Sequence, residues 1–309
     1  MSMTDFGFML ARTAPVFNYS PRDLKGRATM IARALKSPEA VAAIREAPGD
    51  STLARTLEDR PQMIGAFSWP FMCAAWEPEE RWARIVNHCA AVDQMAPVYR
   101  MRVPECAAIA DFSDIEPGLS IVLDRPKWFM REGLLTLNMF LGDFRAFSLS
   151  FSFFTEADAS LTAYVGAIQG RNRDNILDAY RRLTKSFFGL RPRDFLFETF
   201  RALCRHAGAA RILAVSDASR HHRHPYFKAE KVDYTTNYDE AWADRGGVRT
   251  ADTHWEIDIS PARKDLSEVK PNKRSMYRKR FEFLDALDQR ITDGLEKAQP
   301  VAATADGDL

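Results

Sequence analysis

The run Phe144 to Phe154, FRAFSLSFSFF, sets Phe147, Leu149, Phe151 and Phe153 on one side of an extended chain and Ser148, Ser150 and Ser152 on the other. A period of two over this length is the signature of a strand. The apolar run Leu134 to Leu141 precedes it, and only Gly142-Asp143 separates the two, which is a hairpin signal. Leu119 to Leu123 and Leu161 to Ile168 read as further strands, so up to four consecutive strands, mostly antiparallel, form the middle of the chain. Two helical stripes follow, Asp174 to Phe188 and Pro192 to His206, then a short buried strand, Arg211 to Ser216. A strand that follows helices that follow a meander implies a mixed sheet.

The flanks read differently. Residues 1–97 are predicted as a helical region, with starts marked by Ser20-Pro21, Ser37-Pro38, Arg60-Pro61 and Glu77-Pro78. Trp69, Phe71, Trp76 and Trp82 are numerous enough there to form either core or a hydrophobic groove. Residues 98–292 carry the sheet, with another strand at Thr253 to Ile259 and a basic helix near Ser275 to Ile291. The small, polar and acidic end of the chain, residues 293–309, is expected to be disordered. The fold class is therefore α+β: a helical N-terminal region, then a mixed, mostly antiparallel sheet flanked by helices.

Several function classes are disfavoured by composition. With 43 Lys and Arg against 42 Asp and Glu, the chain lacks the charge excess of a whole-surface nucleic-acid binder. No run approaches ~20 apolar residues, so no membrane span is expected. The N-terminus lacks the basic and apolar regions of a signal peptide. Cys73, Cys89, Cys106 and Cys204 show no zinc spacing and read as reduced thiols, which points to a cytoplasmic protein.

Several blocks together resemble the VirK/YbjX family of bacterial proteins. They are Leu134 to Leu137, Ser148 to Phe151, Gly166 to Gly170, Thr184-Lys185 with Gly189 to Arg193, and Arg211 to Ser216. Tyr238 to Trp242 with Gly246-Gly247, Arg263 to Leu266 and Lys273 to Arg278 complete the set. The family is associated with virulence and envelope stress in enteric bacteria. Its fold is thought similar to that of the GCN5-related N-acyltransferases. The resemblance implies an acyltransferase-like fold, an acyl-coenzyme A co-substrate, and an amine acceptor on a peptide or small metabolite. The alternative it implies is a non-catalytic protein that binds a peptide or an envelope component.

Four places carry candidate chemistry. Gln169, Gly170, Arg171, Asn172 and Arg173 lead from a strand into a helix, where backbone amides and arginines can hold an anion. In the acyltransferase fold this turn cradles the coenzyme A pyrophosphate, on a pattern with two glycines where this chain has one. The same residues also fit an ordinary turn with solvated arginines and Asp174 as a helix cap. Asp217 and the His221-His222-Arg223-His224 loop follow a strand end, where ligands of α/β sheets bind. His222 or Asp217 could accept a proton there. A metal reading would need Asp252, His254 or Glu256 as further ligands, and no metal is expected. Glu198 lies mid-helix on an apolar face and is a candidate base if buried. Tyr226, Tyr234 and Tyr238 are candidate acids. Finally, residues 270–280 hold six cations in eleven positions. Lys273 and Arg274 could meet the coenzyme A phosphate, or the segment could touch an anionic surface, or simply be a solvated helix start.

Overall fold

The computed structural model describes residues 3–16, 21–103, 105–173, 176–227 and 236–302. The N-terminal part is helical: α1 (Met3–Arg12), α2 (Pro21–Ala34), α3 (Pro38–Glu46), α4 (Thr52–Asp59) and α5 (Pro78–Asp93), with a 3-10 segment at Pro61–Phe67. Then come β1 (Glu105–Asp111), β2 (Leu119–Asp124), β3 (Leu135–Leu141), β4 (Phe144–Thr155) and β5 (Leu161–Gly170). The helices α6 (Ile176–Ser186) and α7 (Pro192–His206) lead into β6 (Ala209–Val215). The chain continues with α8 (Tyr238–Ala243), β7 (Val248–Ala251), β8 (His254–Ile257), α9 (Arg274–Lys297) and β9 (Val301–Ala302). These strands make one open sheet in the order β7-β8-β6-β5-β4-β3-β2-β1-β9, antiparallel except between β5 and β6.

Local signals explain many of the starts. Prolines open α3, α5 and α7 at the first helical position, where a missing N–H costs nothing. Ser51 caps α4 through Ala54 N–H, and Asn237 caps α8 through Asp239 and Glu240 N–H. The Gly142-Asp143 turn joins β3 and β4 with Leu141 opposite Phe144, as expected of a two-residue hairpin.

The phenylalanine and serine faces of β4 meet different layers. Phe151 packs edge-on against Phe200 of α7 at 4.8 Å. Phe154, on the other face, lies under the Arg84 guanidinium of α5 at 5.0 Å. Both faces are thus covered, by the N-terminal helices on one side and by α7 and its neighbours on the other. The serines are buried with partners. Ser148 donates to Asn138 Oδ1 (2.7 Å), Asn138 donates to Asp124 Oδ1 (2.8 Å), and Leu134 N–H donates to Ser152 Oγ (3.1 Å). Arg125, buried, ties the layers together by donating to Thr56 Oγ1, Met101 O and Leu134 O at 2.8–3.0 Å. Trp69, Phe71 and Trp82 are buried core residues of this layer, and Trp82 also forms the base of a pocket beside α3 and α5.

Two features position the site. First, β5 and β6 pair only from Leu161–Val165 to Ala209–Ala214, so the last five residues of β5 have no strand on that side. Second, the turn between β2 and β3 lies directly on β5. A Cβ on Gly166 would fall 1.9 Å from the Glu132 carbonyl oxygen, so only glycine permits this approach.

The sequence missed β1, whose Cys106-Ala107-Ala108 start is weakly apolar, and the disordered segment from residue 293 needs correction. Helix α9 continues to Lys297, and Val301-Ala302 pair with Glu105-Cys106 of β1. Residues 303–309 lie outside the described residues. Phe151→Ala should destabilise the fold by about 3–5 kcal/mol through the cavity left between β4 and α7. Gly166→Ala should cost roughly 1–3 kcal/mol by forcing the turn off the strand. Urea unfolding midpoints of the two variants check both values.

Candidate functional site

The unpaired end of β5 is where the side chains converge. Its peptide groups still need partners, because buried backbone donors and acceptors left unpaired are costly. Tyr238 supplies them at Ile168: its hydroxyl accepts from Ile168 N–H at 3.0 Å and donates to Ile168 O at 3.2 Å. Tyr238 is held by its own helix. Trp242 Nε1 donates to Val215 O (2.8 Å), and Trp255 Nε1 donates to Asp239 Oδ1 (2.8 Å). Burial raises the Tyr238 phenol well above its ordinary pKa, so it stays protonated. The Ile168 peptide is therefore already occupied by a phenol.

On the α6 side of β5 lies a cleft of about 750 Å³. Its floor is apolar, from Phe147, Ile168, Ile176, Leu177 and Tyr180, and Arg171, Arg181, Arg191 and Arg193 edge it. Leu177 is left 64% exposed there, an apolar surface without a cover. Arg181 pairs with Asp178 at 2.7 Å. Arg191 and Arg193 have no carboxylate partner among the described residues. Gly170 belongs to β5 rather than to a turn. It pairs with Phe147, whose ring would lie 2.6 Å from a Cβ at that position. Arg171 N–H donates to Ala146 O (2.9 Å), and its carbonyl accepts from Tyr180 Oη (3.2 Å). Asn172 also lines the cleft, whereas Arg173 lies over the Phe144 ring at 4.2 Å. Asp174 lies outside the described residues.

The opposite side of β5 carries a buried carboxyl. Ser148 pairs with Gln169, so Gln169 points to the serine face, away from the cleft. Its Nε2 donates to Glu132 Oε1 at 2.9 Å. His221 Nδ1 lies 3.7 Å from the same oxygen. Burial pushes the Glu132 pKa up to about 8, against the lesser pull of Arg220 and the Gln169 hydrogen bond. Burial, helped by His222, Arg131 and Arg220, pushes His221 down to about 3. At neutral pH the pair is mostly a protonated carboxyl beside a neutral imidazole. Segment 71–74 of the helical region staples this corner. Met72 N–H donates to Arg131 O and Ala74 N–H donates to Ser219 O, both at 2.7 Å. Met72 adopts a left-handed φ of 53° to do so, a conformation that costs a non-glycine residue free energy.

The remaining candidates fall into place as follows. Asp217 sits at the end of β6 but is fully engaged, by Arg223 (2.7 Å), Arg220 (3.3 Å) and the Tyr238 amide (3.2 Å). Burial would raise its carboxyl, yet these hydrogen bonds and charges hold it below the ordinary range. His222 is pushed down to about 4 by burial, then Arg220 and Arg223, so it is a poor base. Tyr226 is half exposed beside the Arg131 guanidinium, which also covers Trp69 and Phe227. Glu198 is not at this site: it is partly buried and pairs with the buried Arg201 of α7 at 2.5 Å. Lys273 and Arg274 are also elsewhere. Arg274 donates to Val269 O and Ser267 O, which fixes the turn into α9. Of the basic segment, Lys270, Lys273, Arg274, Arg278 and Lys279 are exposed. Tyr234 lies outside the described residues.

Among the described residues, no group of three or more His, Cys, Asp or Glu is placed to hold a metal ion, so Asp252, His254 and Glu256 do not complete a set with the histidine loop. Nor is any helix among them long and apolar enough to cross a membrane. Sequence reasoning missed Glu132. The available signal was Gly166 inside an apolar strand, which marks a close approach by another part of the chain.

Comparison with known proteins identifies the family. No solved structure matches the chain. It is 26% identical over 136 residues to the uncharacterized protein YbjX of Escherichia coli (strain K12), covering 44% of this chain and 41% of that one. It is 28% identical over 184 residues to an uncharacterized protein of Haemophilus influenzae, covering 60% of each chain. A second uncharacterized Haemophilus influenzae protein is 29% identical over 123 residues, covering 40% of each. The chain thus spans between about two fifths and three fifths of the length of these relatives. The family model described as "Protein of unknown function (DUF535)" matches residues 20–293, and the chain belongs to this family, which the YbjX match identifies with the VirK/YbjX family.

Proposed function

We propose that the protein is an N-acyltransferase-like enzyme that moves an acyl group from a coenzyme A-type thioester to an amine on a peptide or small metabolite. The observation that carries this reading is the arginine-edged cleft at the end of β5, at the point where the two parallel strands part. Its volume of about 750 Å³ suits a ligand of nucleotide size. Arg171, Arg181, Arg191 and Arg193 supply positive charge for a diphosphate, and the N-terminus of α6 adds its dipole. Phe147, Ile168, Leu177 and Tyr180 supply an apolar bed for the arm that carries the thioester. The strand order also supports it: an antiparallel meander, a helical crossover, and a parallel strand flanked by a hairpin fit the fold that the family resemblance implies.

In this reading the Tyr238 hydroxyl stands where the thioester carbonyl oxygen would sit. The Ile168 amide would polarise that carbonyl once the phenol moves aside. The amine then attacks the carbonyl carbon, a C–N bond forms, the C–S bond breaks and the coenzyme thiol leaves.

A second reading is favoured by the same contact. The Ile168 peptide is already satisfied by Tyr238, so the site is complete without a donor, as in a protein that binds a peptide or envelope component without catalysis. Calorimetric titration with coenzyme A and with acetyl-, medium-chain and long-chain acyl-coenzyme A separates the two. Under the enzyme reading at least one thioester binds. Arg193→Glu should then weaken binding on the order of tenfold to a hundredfold, the scale of one lost charge-assisted contact. The effect should shrink as salt is raised. Folded protein that binds none of these ligands leaves only the second reading.

A further inference from the structure

We propose that Glu132 is the proton acceptor for the attacking amine, working from the face of β5 opposite the donor cleft; this rests on the acyl-transfer reading above.

The geometry singles out this carboxyl. Its backbone is fixed on both sides: the amide donates to Phe129 O at 2.8 Å, and the carbonyl presses on Gly166. Oε1 is held by Gln169, and Oε2 has no hydrogen-bond partner among the described residues. One oxygen is anchored, therefore, while the other is left for a ligand. Gln169 is the neighbour of Ile168, whose amide is aimed at the gap beside β6. Gln169, which holds the carboxyl, and Ile168, whose amide is the candidate for polarising the carbonyl, are thus adjacent positions on β5, and the Tyr238 phenol feels the Glu132 charge.

The groups around Glu132 come from every element packed on it. Arg220 and His221 follow β6, Tyr238 opens α8, Gln169 is the last residue but one of β5, and Arg131 is its chain neighbour. Arg220 is turned toward Asp217 and over the Tyr238 ring, and Arg131 lies among aromatic rings. Neither forms an ion pair with Glu132. Its rivals are weaker: Asp217 has its oxygens taken by two arginines and an amide, while His221 and His222 bind protons far less readily, near pH 3 and 4 against about 8. A base works best with a pKa near the operating pH.

In the step, the amine nitrogen bonds to the thioester carbonyl carbon and its proton passes to Glu132 Oε2. The C–S bond breaks, the thiolate takes a proton from water, and Glu132 returns its own proton to solvent. The products are an amide and the free thiol.

Thiol release from acetyl-coenzyme A with a lysine-containing dipeptide, followed against pH, tests the assignment. The wild type should show a rate that rises with pH and levels above about 8. Glu132→Gln should slow turnover on the order of a hundredfold or more and flatten the profile, with donor affinity and thermal midpoint unchanged. Gln169→Leu removes a hydrogen bond that favours the charged carboxylate, so it should move the rise to higher pH and keep the plateau. Full activity in Glu132→Gln overturns the assignment. So does loss of donor binding in that variant, or a wild type that binds donor and releases no thiol. A wild type that binds no donor overturns instead the acyl-transfer reading on which this one stands.

Discussion

The end of β5 has a neighbour on one side only. A central strand that loses its partner leaves peptide groups that must be satisfied within the protein or by something bound to it. Everything at the site answers that demand. The Tyr238 phenol serves Ile168, the turn carrying Glu132 lies flat on Gly166, and segment 71–74 joins that turn to the loop after β6. The divergence of two parallel strands thus creates both the opening and the need to furnish it.

The helical N-terminal layer takes part in this. Met72 and Ala74 donate to opposite walls of the corner, from Arg131 to Ser219, and Arg125 donates to three separate segments beneath the sheet. Buried arginine is costly unless its donors are used, and here they hold the helices and the sheet in one register. The site belongs to both halves of the chain, so the helical region is structural support for it as well as a covering layer.

Much of the scaffold was legible in the sequence. The β3–β4 hairpin follows from a period of two and a two-residue turn, and α7 and β6 follow from apolar spacing. These are local signals. β1, β7 and β9 were missed because the first starts on weakly apolar residues, the second is exposed throughout and the third is two residues long. Arg171 stands out in the sequence because charge is visible without a structure, but the glycine before it is part of β5 and not of a turn. Glu198 misled because its apolar neighbours on α7 say nothing of Arg201, one turn on, whose buried guanidinium takes up its carboxylate. Glu132 was missed because its burial is tertiary: Gly166 marks a close approach to β5, but nothing in Arg131-Glu132-Gly133 says that this turn makes it.

Because Phe147 and Gly170 face one way and Ser148 and Gln169 the other, β5 acts as a partition between a cationic hollow and a proton-bearing corner. Where the two compartments meet, at Ile168, the buried Tyr238 ring stands between them. A ligand that spans the two compartments therefore has to displace that phenol and take over its two hydrogen bonds to the Ile168 peptide.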